Sequence, residues 1–324
     1  MVEFGYALSS EEHPPLDLVR NARRAEESGF SFAMVSDHYH PWISKGHSPF
    51  VWATLGGIAH ATERIKVGTG VTAPTIRIHP AIIAQAAATV AAMMPGRFML
   101  GLGAGENLNE HVLGDKWPPP PVRQDMLLEA IDIIRQLWTG EEVTHYGEHY
   151  VVEDARLFTL PDELPPILVA ADGPAAAQLA AGNDGLVAVK PATDLVEAFE
   201  SAGGRGKPRF GQVTVCYDEN ENRARKTALE SWPISGLEGG SVKWEIYKPS
   251  HFDELAMNVT EDDVAGSITC GPDRNKHVEA IKKFIDAGFD HIYIHQVGKE
   301  QKGFFSFYQR EVLPQVRELR SAAA

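Results

Sequence analysis

Three consecutive segments decide the fold: "RIKVGTGVT" (64–72), "PAIIAQAAATVAAMM" (80–94) and "RFMLGLGAG" (97–105). The outer two are short, apolar, glycine-containing runs of the kind that form buried strands. The middle segment begins with Pro80, a residue favoured in the first turn of a helix, and is predicted to be helical. Strands that are apolar on both faces and joined through a helix indicate a parallel sheet.

The same strand–helix unit recurs along the chain. Further strands are predicted at 2–8, 32–38, 166–172, 185–190, 209–219 and 291–298. Further helices are predicted at 16–30, 51–63, 123–140, 174–182, 277–289 and 303–320. This alternation favours a (β/α)8 TIM barrel. A doubly wound open sheet is the alternative, because periodicity does not report whether a sheet closes.

One segment departs from this pattern. Residues 231–275 do not fit the length of the repeating unit, and we expect an insertion near the end of strand 7. No linker, low-complexity tract or internal repeat divides the chain. The prediction is therefore a single domain over residues 1–324.

The composition excludes several classes of protein. The 324 residues carry a formal net charge of −14, which argues against nucleic acid or an anionic membrane as the partner. Cys216 and Cys270 are far apart and form no CxxC motif, so neither a disulfide framework nor a structural zinc is expected. There is no signal peptide and no apolar run of about 20 residues, which predicts a cytoplasmic protein. We expect an enzyme that acts on a small molecule.

Polar and glycine-rich residues follow several predicted strands. The active site of a (β/α)8 barrel lies at the C-terminal ends of its strands. The residues at those ends are Ser36-Asp37-His38, 68–72, 101–106, Ala171-Asp172-Gly173 and Lys190. Their recurrence at the same end of several strands predicts a functional site there.

The stretch "VSDHYHPW" (35–42) allows three interpretations. As a metal site it offers Asp37, His38 and His40, but the spacing is irregular and no further ligand cluster exists in the sequence. As a purely structural strand end it needs only a hydrogen-bonded His38. The interpretation we favour makes His38 a general base, with Trp42 as a wall of the pocket and His40 as pocket lining.

Two glycine-containing strand ends have both a functional and a structural interpretation. "GLGAGE" (101–106) lacks the GxGxxG spacing of a dinucleotide site, but its glycines let a planar cofactor approach the backbone. Glu106 then points into the open end of the barrel, or else it is a solvated or helix-capping carboxylate. "ADGP" (171–174) either presents backbone N–H groups to a phosphate or forms an ordinary strand–helix turn.

Taken together, these motifs resemble one family. The matching segments, in order and spacing, are "VSDHYHPW", "VGTGVTAPT", "HPAIIAQAAAT", "GLGAGENLNE", "LWTGE" and "ADGPAAAQLA". They resemble the F420-dependent branch of the bacterial-luciferase-like superfamily, and most nearly its glucose-6-phosphate dehydrogenases and their sugar-oxidoreductase relatives. The resemblance implies a TIM barrel that binds coenzyme F420, a deazaflavin, in its oxidised form. It also implies hydride transfer between the deazaflavin C5 and a carbinol carbon of the substrate.

The resemblance further implies roles for individual residues. His38 is the base that takes the hydroxyl proton, Trp42 holds the substrate against the ring, and Glu106 exchanges a proton with the deazaflavin N1. The implied cofactor-binding residues are Asp37, Gly70, Val71, Ala73, Asn109, Asp172 and Gly173. A non-prolyl cis peptide at Gly70–Val71 and a homodimer are implied as well.

The chain departs from the family where its members bind a sugar phosphate. Three basic positions of the glucose-6-phosphate enzymes fall near Ala192, Glu254 and Gly266, and none of these is basic. A phosphate facing Glu254 is repelled rather than bound. We therefore hypothesise a sugar or alcohol dehydrogenase that does not strictly require a 6-phosphate, although Lys190, Lys243, Lys248 or Arg205 could substitute for the missing cations.

Four alternatives stay open from the sequence. The chain could be an F420-dependent glucose-6-phosphate dehydrogenase, or an FMN-dependent monooxygenase of the same superfamily. It could also be an F420-dependent reductase, since hydride transfer is reversible. The last alternative is a non-catalytic barrel that only binds the deazaflavin, which leaves the grouping of Asp37, His38, Trp42 and Glu106 unexplained.

Overall fold

The computed structural model describes residues 2–237 and 240–321. Eight parallel strands, β1 to β4, β7 to β9 and β11, close into a barrel, which confirms the predicted (β/α)8 architecture and excludes the open sheet. In chain order the strands are β1 (Glu3–Leu8), β2 (Phe32–Val35), β3 (Lys66–Thr69), β4 (Phe98–Leu102), β5 (Val143–Tyr146), β6 (Val151–Ala155), β7 (Ile167–Ala170), β8 (Gly185–Ala188), β9 (Arg209–Cys216), β10 (Thr269–Cys270) and β11 (His291–Gln296).

Closure depends on the pairing of β8 with β9. Val187 lies opposite Phe210 across this pair, and β1 pairs with both β2 and β11, so no barrel strand has a free edge. Alternate side chains of each strand point inward and fill the barrel. Phe32 is one of these inward-pointing side chains. Its ring leaves no room for a side chain at Gly5, because a Cβ there would lie 2.4 Å from the ring.

Helices surround the barrel or lie over the C-terminal ends of its strands. They are α1 (Pro15–Glu27), α2 (Val51–Ala61), α3 (Pro80–Met93), α4 (Asn107–Glu110), α5 (Pro120–Leu137), α6 (Pro174–Ala181), α7 (Thr193–Phe199), α8 (Glu221–Ser231), α9 (Pro249–Ala256), α10 (Glu261–Ser267), α11 (Arg274–Asp286), α12 (Gln301–Phe307) and α13 (Leu313–Ser321). The last predicted helix, 303–320, is divided by a π-helical turn at Tyr308–Val312. Within the described part of the chain, no helix is long and apolar enough to cross a membrane.

The hairpin of β5 and β6 is absent from the sequence-based prediction. Most of its side chains are exposed, so it has no continuous apolar run of the kind that marks the barrel strands. The Glu129 carboxylate on α5 holds it in place by accepting hydrogen bonds from the backbone N–H groups of His149 and Tyr150. The hydroxyl of Tyr150 donates to the carbonyl of Pro74, which ties the hairpin to the loop after β3.

The segment 231–275 contains α9, α10 and β10. Its last part returns to the barrel because β10 pairs in parallel with the end of β9, with Cys270 opposite Cys216. Its middle part lies over the C-terminal ends of the strands. There Phe252 of α9 contacts Trp42 edge to face, with 5.3 Å between ring centroids, and Asp253 accepts hydrogen bonds from Ser44.

Candidate functional site

Two cavities open at the C-terminal ends of the barrel strands. The larger has a volume of about 1220 Å³ and the smaller about 490 Å³, which is within the usual range of small-molecule sites. They share one wall, formed by His38, Gly70, Glu106, Val189, Trp244 and Tyr293. The imidazole and carboxylate predicted to be catalytic therefore lie where the two cavities meet.

The smaller cavity has a floor of small side chains. It includes three of the predicted cofactor-binding positions, Gly70, Val71 and Ala73, and the peptide bond between Gly70 and Val71 is cis. Gly103 after β4 must lack a side chain, because a Cβ there would lie 2.7 Å from Val71 Cγ2. A flat apolar floor of this kind suits a planar ring.

Asp37 lines the smaller cavity, but both of its carboxylate oxygens have partners within the protein. Oδ2 accepts from the Thr72 hydroxyl at 2.7 Å, and Oδ1 is 2.9 Å from Nη2 of Arg77. Arg77 is in turn 3.6 Å, through Nε, from Oε1 of Glu110, and all three charged side chains are buried. Asp37 thus joins the loop after β2 to the loop after β3.

His38 has one nitrogen held and the other facing two carboxylates. Nδ1 is 3.1 Å from the His40 carbonyl oxygen, an acceptor only, so Nδ1 carries the hydrogen. Nε2 is 3.3 Å from Oε1 of Glu11 and 3.7 Å from Oε2 of Glu106. In the neutral imidazole the free lone pair is therefore on Nε2, at the junction of the cavities.

Glu11 is a site residue that the sequence analysis missed. It follows β1 in the segment 9–13 and accepts hydrogen bonds from the hydroxyls of Ser9 and Ser36. Its position just after a barrel strand is the signal that could have identified it. Glu11 is buried, so its charge acts on His38 with little screening by solvent.

The three charged groups shift one another's pKa values. Burial alone lowers the pKa of His38, but Glu11 and then Glu106 outweigh it and the pKa is raised. Burial opposes ionisation of Glu11, yet His38 and the Ser36 hydrogen bond hold its pKa below the usual value. Burial raises the pKa of Glu106, and His38 offsets this only in part. Relative to exposed groups, the site therefore favours the ionised form of Glu11, the protonated form of His38 and the protonated form of Glu106.

Asn109 fixes the position of Glu106. Its Nδ2 donates to Oε2 of Glu106 at 3.3 Å, while its Oδ1 accepts from the backbone N–H groups of Tyr39 and His40. One amide side chain therefore connects α4 with the loop after β2. His40, expected to line the pocket, instead hydrogen-bonds through Nδ1 to the Leu108 carbonyl.

Aromatic side chains cover the larger cavity. Trp42 lies 5.2 Å from the His38 ring and 6.3 Å from Trp244, measured between centroids. Trp244 lines both cavities and belongs to the insertion, where the sequence permitted no assignment. Phe252 packs edge to face against Trp42 and extends this aromatic cluster.

Polar side chains from β9, β11 and the residues after β8 also line the larger cavity. They include Lys190, Gln212, Thr214 and His295. His295 is held through Nε2, 2.6 Å from Oε2 of Glu12, and its buried Nδ1 has no hydrogen-bond partner among the described residues. Gly266, one of the three positions that lack the family's basic residue, lies in the same wall.

The two remaining predicted cofactor residues lie at the start of α6. Asp172 lines the smaller cavity, and Gly173 is the N-cap of the helix with open space around the place of a side chain. Among residues 2–237 and 240–321, no cluster of three or more His, Cys, Asp or Glu residues could hold a metal ion.

Known proteins resemble this chain over nearly its whole length. The family model described as luciferase-like monooxygenase matches residues 2–291. The F420-dependent glucose-6-phosphate dehydrogenase of Microbacterium testaceum (strain StLB037) is 36% identical over 334 residues, covering 98% of each chain. That of Nocardia farcinica (strain IFM 10152) is 35% identical, covering 98% of this chain and 99% of that one. The solved structure of an F420-dependent secondary alcohol dehydrogenase, in complex with an F420–acetone adduct, is 31% identical with a TM-score of 0.90, covering 98% and 99%.

Proposed function

The chain belongs to the luciferase-like monooxygenase family, and we propose that it is an F420-dependent dehydrogenase that oxidises a sugar or alcohol at a CH–OH group. The observation that supports this most is the position of His38 Nε2, between two carboxylates and at the junction of two cavities. One cavity suits a flat ring and the other a polar substrate. A base at their junction can reach a hydroxyl whose carbon faces the ring.

The smaller cavity fits a deazaflavin. Its floor of glycines and alanines admits a planar ring, and the buried guanidinium of Arg123 lines it with two nitrogens that lack a hydrogen-bond partner within the described residues. The residues proposed to hold the coenzyme are Asp37, Gly70, Val71, Ala73, Asn109, Asp172 and Gly173. When bound, oxidised F420 supplies a ring carbon that accepts hydride.

His38 is proposed as the general base. In its neutral form Nε2 accepts the hydroxyl proton, so that positive charge does not build up on the carbinol carbon. Glu11 stabilises the imidazolium that results, since its ionised carboxylate is 3.3 Å away in a buried setting. The hydrogen bond from Nδ1 to the His40 carbonyl keeps Nε2 directed at the cavity junction.

Glu106 is proposed to hold a proton on the coenzyme side. Its raised pKa keeps the carboxyl protonated at pH values where an exposed glutamate has lost its proton. Asn109 holds it within reach of the smaller cavity. Trp42 is proposed to position the substrate against His38 and to exclude water from the proton transfer.

A second candidate function is glucose-6-phosphate oxidation with F420, the activity named for several relatives. One observation favours it. Burial and the positive charge of Lys190 lower the pKa of Lys243, and Lys190 lines the larger cavity. Two neighbouring cations can bind a phosphate. Against this, the partly buried Nζ of Lys243 already donates to the Leu237 carbonyl.

A spectral assay tests the proposal. The protein is mixed with oxidised F420 and a panel of glucose, glucose-6-phosphate and secondary alcohols, and the deazaflavin absorbance is followed. Loss of absorbance with at least one substrate supports the dehydrogenase. Tight retention of FMN with oxygen consumption, and no reaction with F420, points instead to a monooxygenase. Binding of F420 without turnover on any substrate contradicts the catalytic role of His38.

We further propose a cytoplasmic homodimer. Ile82 and Met93 of α3 are 57% and 49% exposed, and apolar side chains left in solvent on one helix favour a contact with a second copy. Light scattering on the purified protein tests this. A wild-type protein of monomer mass contradicts the dimer, and Ile82→Glu is expected to shift a dimer towards the monomer.

A further inference from the structure

We propose that Arg123 binds the phosphodiester of the coenzyme, and that Glu245 occupies its place until the coenzyme arrives. This inference rests on the proposed function, because it concerns the same cavity. It assigns a ligand to a buried cation that the hydride-transfer machinery does not use.

Arg123 is a buried cation without a satisfactory partner. It belongs to the first turns of α5, is 6% exposed, and lines the smaller cavity. Its Nε and Nη1 atoms have no hydrogen-bond partner among the described residues. The guanidinium lies over the Trp117 ring, 4.0 Å from the centroid, so one face is covered and the donors at its edge remain free.

The carboxylates near Arg123 do not satisfy it. Oε1 of Glu245 is 3.6 Å from Nη1, beyond hydrogen-bond distance, and the Glu245 side chain is 52% exposed. Asp172 acts on Arg123 through its charge but forms no hydrogen bond with it that the structure records. Burial of unpaired donors on a charged group is costly. A ligand that brings acceptor oxygens into the cavity removes that cost.

The position of Arg123 in the cavity identifies the part of the ligand. The same cavity contains His38 and Glu106, where the ring is proposed to lie, and Ala176 in the first turn of α6. The backbone N–H groups of that first turn have no helical acceptor and carry the positive end of the helix dipole. An anion between Arg123 and α6 thus meets donors from two elements.

The chemistry of the coenzyme selects the phosphodiester. F420 carries a phosphodiester on the chain next to its ring, and its carboxylates follow further out. Arg123 lines the same cavity as His38 and Glu106, so the anion closest to the ring is the one it should meet. A guanidinium can donate two parallel hydrogen bonds to phosphate oxygens, which a point charge cannot match.

Glu245 makes the site responsive to the ligand. It ends the 3-10 segment Gly240–Glu245, and its carbonyl accepts a hydrogen bond from Asn107. A phosphate next to Arg123 repels the Glu245 carboxylate, which is already half in solvent and can move outward. Removing the negative charge of Glu245 should therefore strengthen binding of the coenzyme. Removing the positive charge of Arg123 should weaken it.

Binding titrations of F420 and of F0 test the proposal. F0 is the deazaflavin without the phosphate and the acidic chain, so it measures ring binding alone. For Arg123→Gln we expect F420 to bind about tenfold to a hundredfold more weakly, the loss of one or two charged hydrogen bonds, with F0 affinity unchanged. Arg123→Lys should recover part of the loss. Glu245→Gln should bind F420 several-fold more tightly than the wild type, again with F0 unchanged.

Each contrary result has a distinct meaning. If the wild type binds neither compound, both the proposed function and this inference fail. If it binds F0 and F420 equally, or if Arg123→Gln weakens both alike, the inference fails and the proposed function stands. F420 samples with one glutamate and with several glutamates distinguish the phosphodiester from the carboxylates of the tail. If Arg123→Gln loses affinity only for the longer chains, Arg123 binds a carboxylate and the assignment to the phosphodiester is overturned. If Arg123→Gln fails to fold, two other measurements test the inference. They are the ratio of F420 to F0 affinity in the wild type and the F420 affinity of Glu245→Gln.

Discussion

Nε2 of His38 lies 3.3 Å from Oε1 of Glu11, and both side chains are buried. The pair raises the pKa of His38 and lowers that of Glu11. Because the proposed base must be neutral, activity should rise with pH as His38 loses its proton. The raised pKa places that rise above the ordinary histidine value of about 6.5.

Glu11→Gln should move the acid limb of the kcat/KM profile to lower pH. The substitution removes the charge that stabilises the imidazolium, so His38 becomes neutral at a lower pH. Steady-state rates across the pH range measure the shift. Glu12→Gln is the matched control, since the adjacent glutamate pairs with His295 instead. An acid limb at the same pH in wild type and Glu11→Gln contradicts the assignment of His38 as the base.

His38→Ala should reduce turnover by roughly 10²–10⁴ and leave F420 binding nearly unchanged. The imidazole supplies proton transfer, whereas the floor of the smaller cavity supplies most of the ring contact. Single-turnover rates and a binding titration separate the two effects. His40→Ala is the control, because its side chain contacts the Leu108 carbonyl and its own carbonyl remains available to residue 38. Equal losses in both variants contradict the prediction.

Glu106→Gln should have a smaller effect on turnover than His38→Ala and should stabilise the fold at high pH. Burial raises the folded-state pKa of Glu106 above its unfolded value, so ionisation destabilises the fold as pH rises through that raised pKa. Glutamine has no such charge. We expect a higher melting temperature than wild type at pH 8 and an equal one near pH 4. A variant less stable at pH 8 contradicts this.

Arg77→Met should destabilise the protein by about 3–5 kcal/mol. The substitution leaves Asp37 and Glu110 as two buried carboxylates without their shared cation. Chemical denaturation measures the free energy of unfolding. Arg64→Met is the control, because Arg64 is 73% exposed and its loss should change little. If Arg77→Met changes the free energy of unfolding only slightly, the ion pairs of Arg77 with Asp37 and Glu110 add no net stability.

Glucose and glucose-6-phosphate should differ less than a hundredfold in kcat/KM, which is a discrimination below about 2.7 kcal/mol. None of the three aligned positions near Ala192, Glu254 and Gly266 is basic. If the phosphorylated sugar is preferred by a hundredfold or more, the hypothesis that the enzyme does not require a 6-phosphate is ruled out. In that event Lys190→Gln should lower the preference and Lys45→Gln should not.

The barrel could be predicted because its strands are short apolar runs followed by helices of regular period. His38 and Glu106 could be identified for the same reason, since each follows a strand whose end is visible in the sequence. Their approach to within 3.7 Å of each other confirms only that these strand ends converge. The catalytic roles themselves stay a proposal.

Other features have no local signal. Glu11 is one of two successive glutamates in a polar loop, and only the folded chain shows which of them meets His38. Trp244 and Glu245 lie in an insertion without periodicity, and their contacts with Trp42 and Arg123 span more than 100 positions. The hairpin of β5 and β6 is mostly exposed, so its strands lack an apolar pattern. Contacts of this kind depend on the tertiary fold.

Trp244 belongs to the wall of both cavities, and this has a kinetic consequence. A ligand that fills the smaller cavity contacts Trp244, and the same indole lines the larger cavity. Loading the first site therefore completes the second. Steady-state kinetics should show a compulsory order in which the deazaflavin binds before the alcohol and leaves after the carbonyl product.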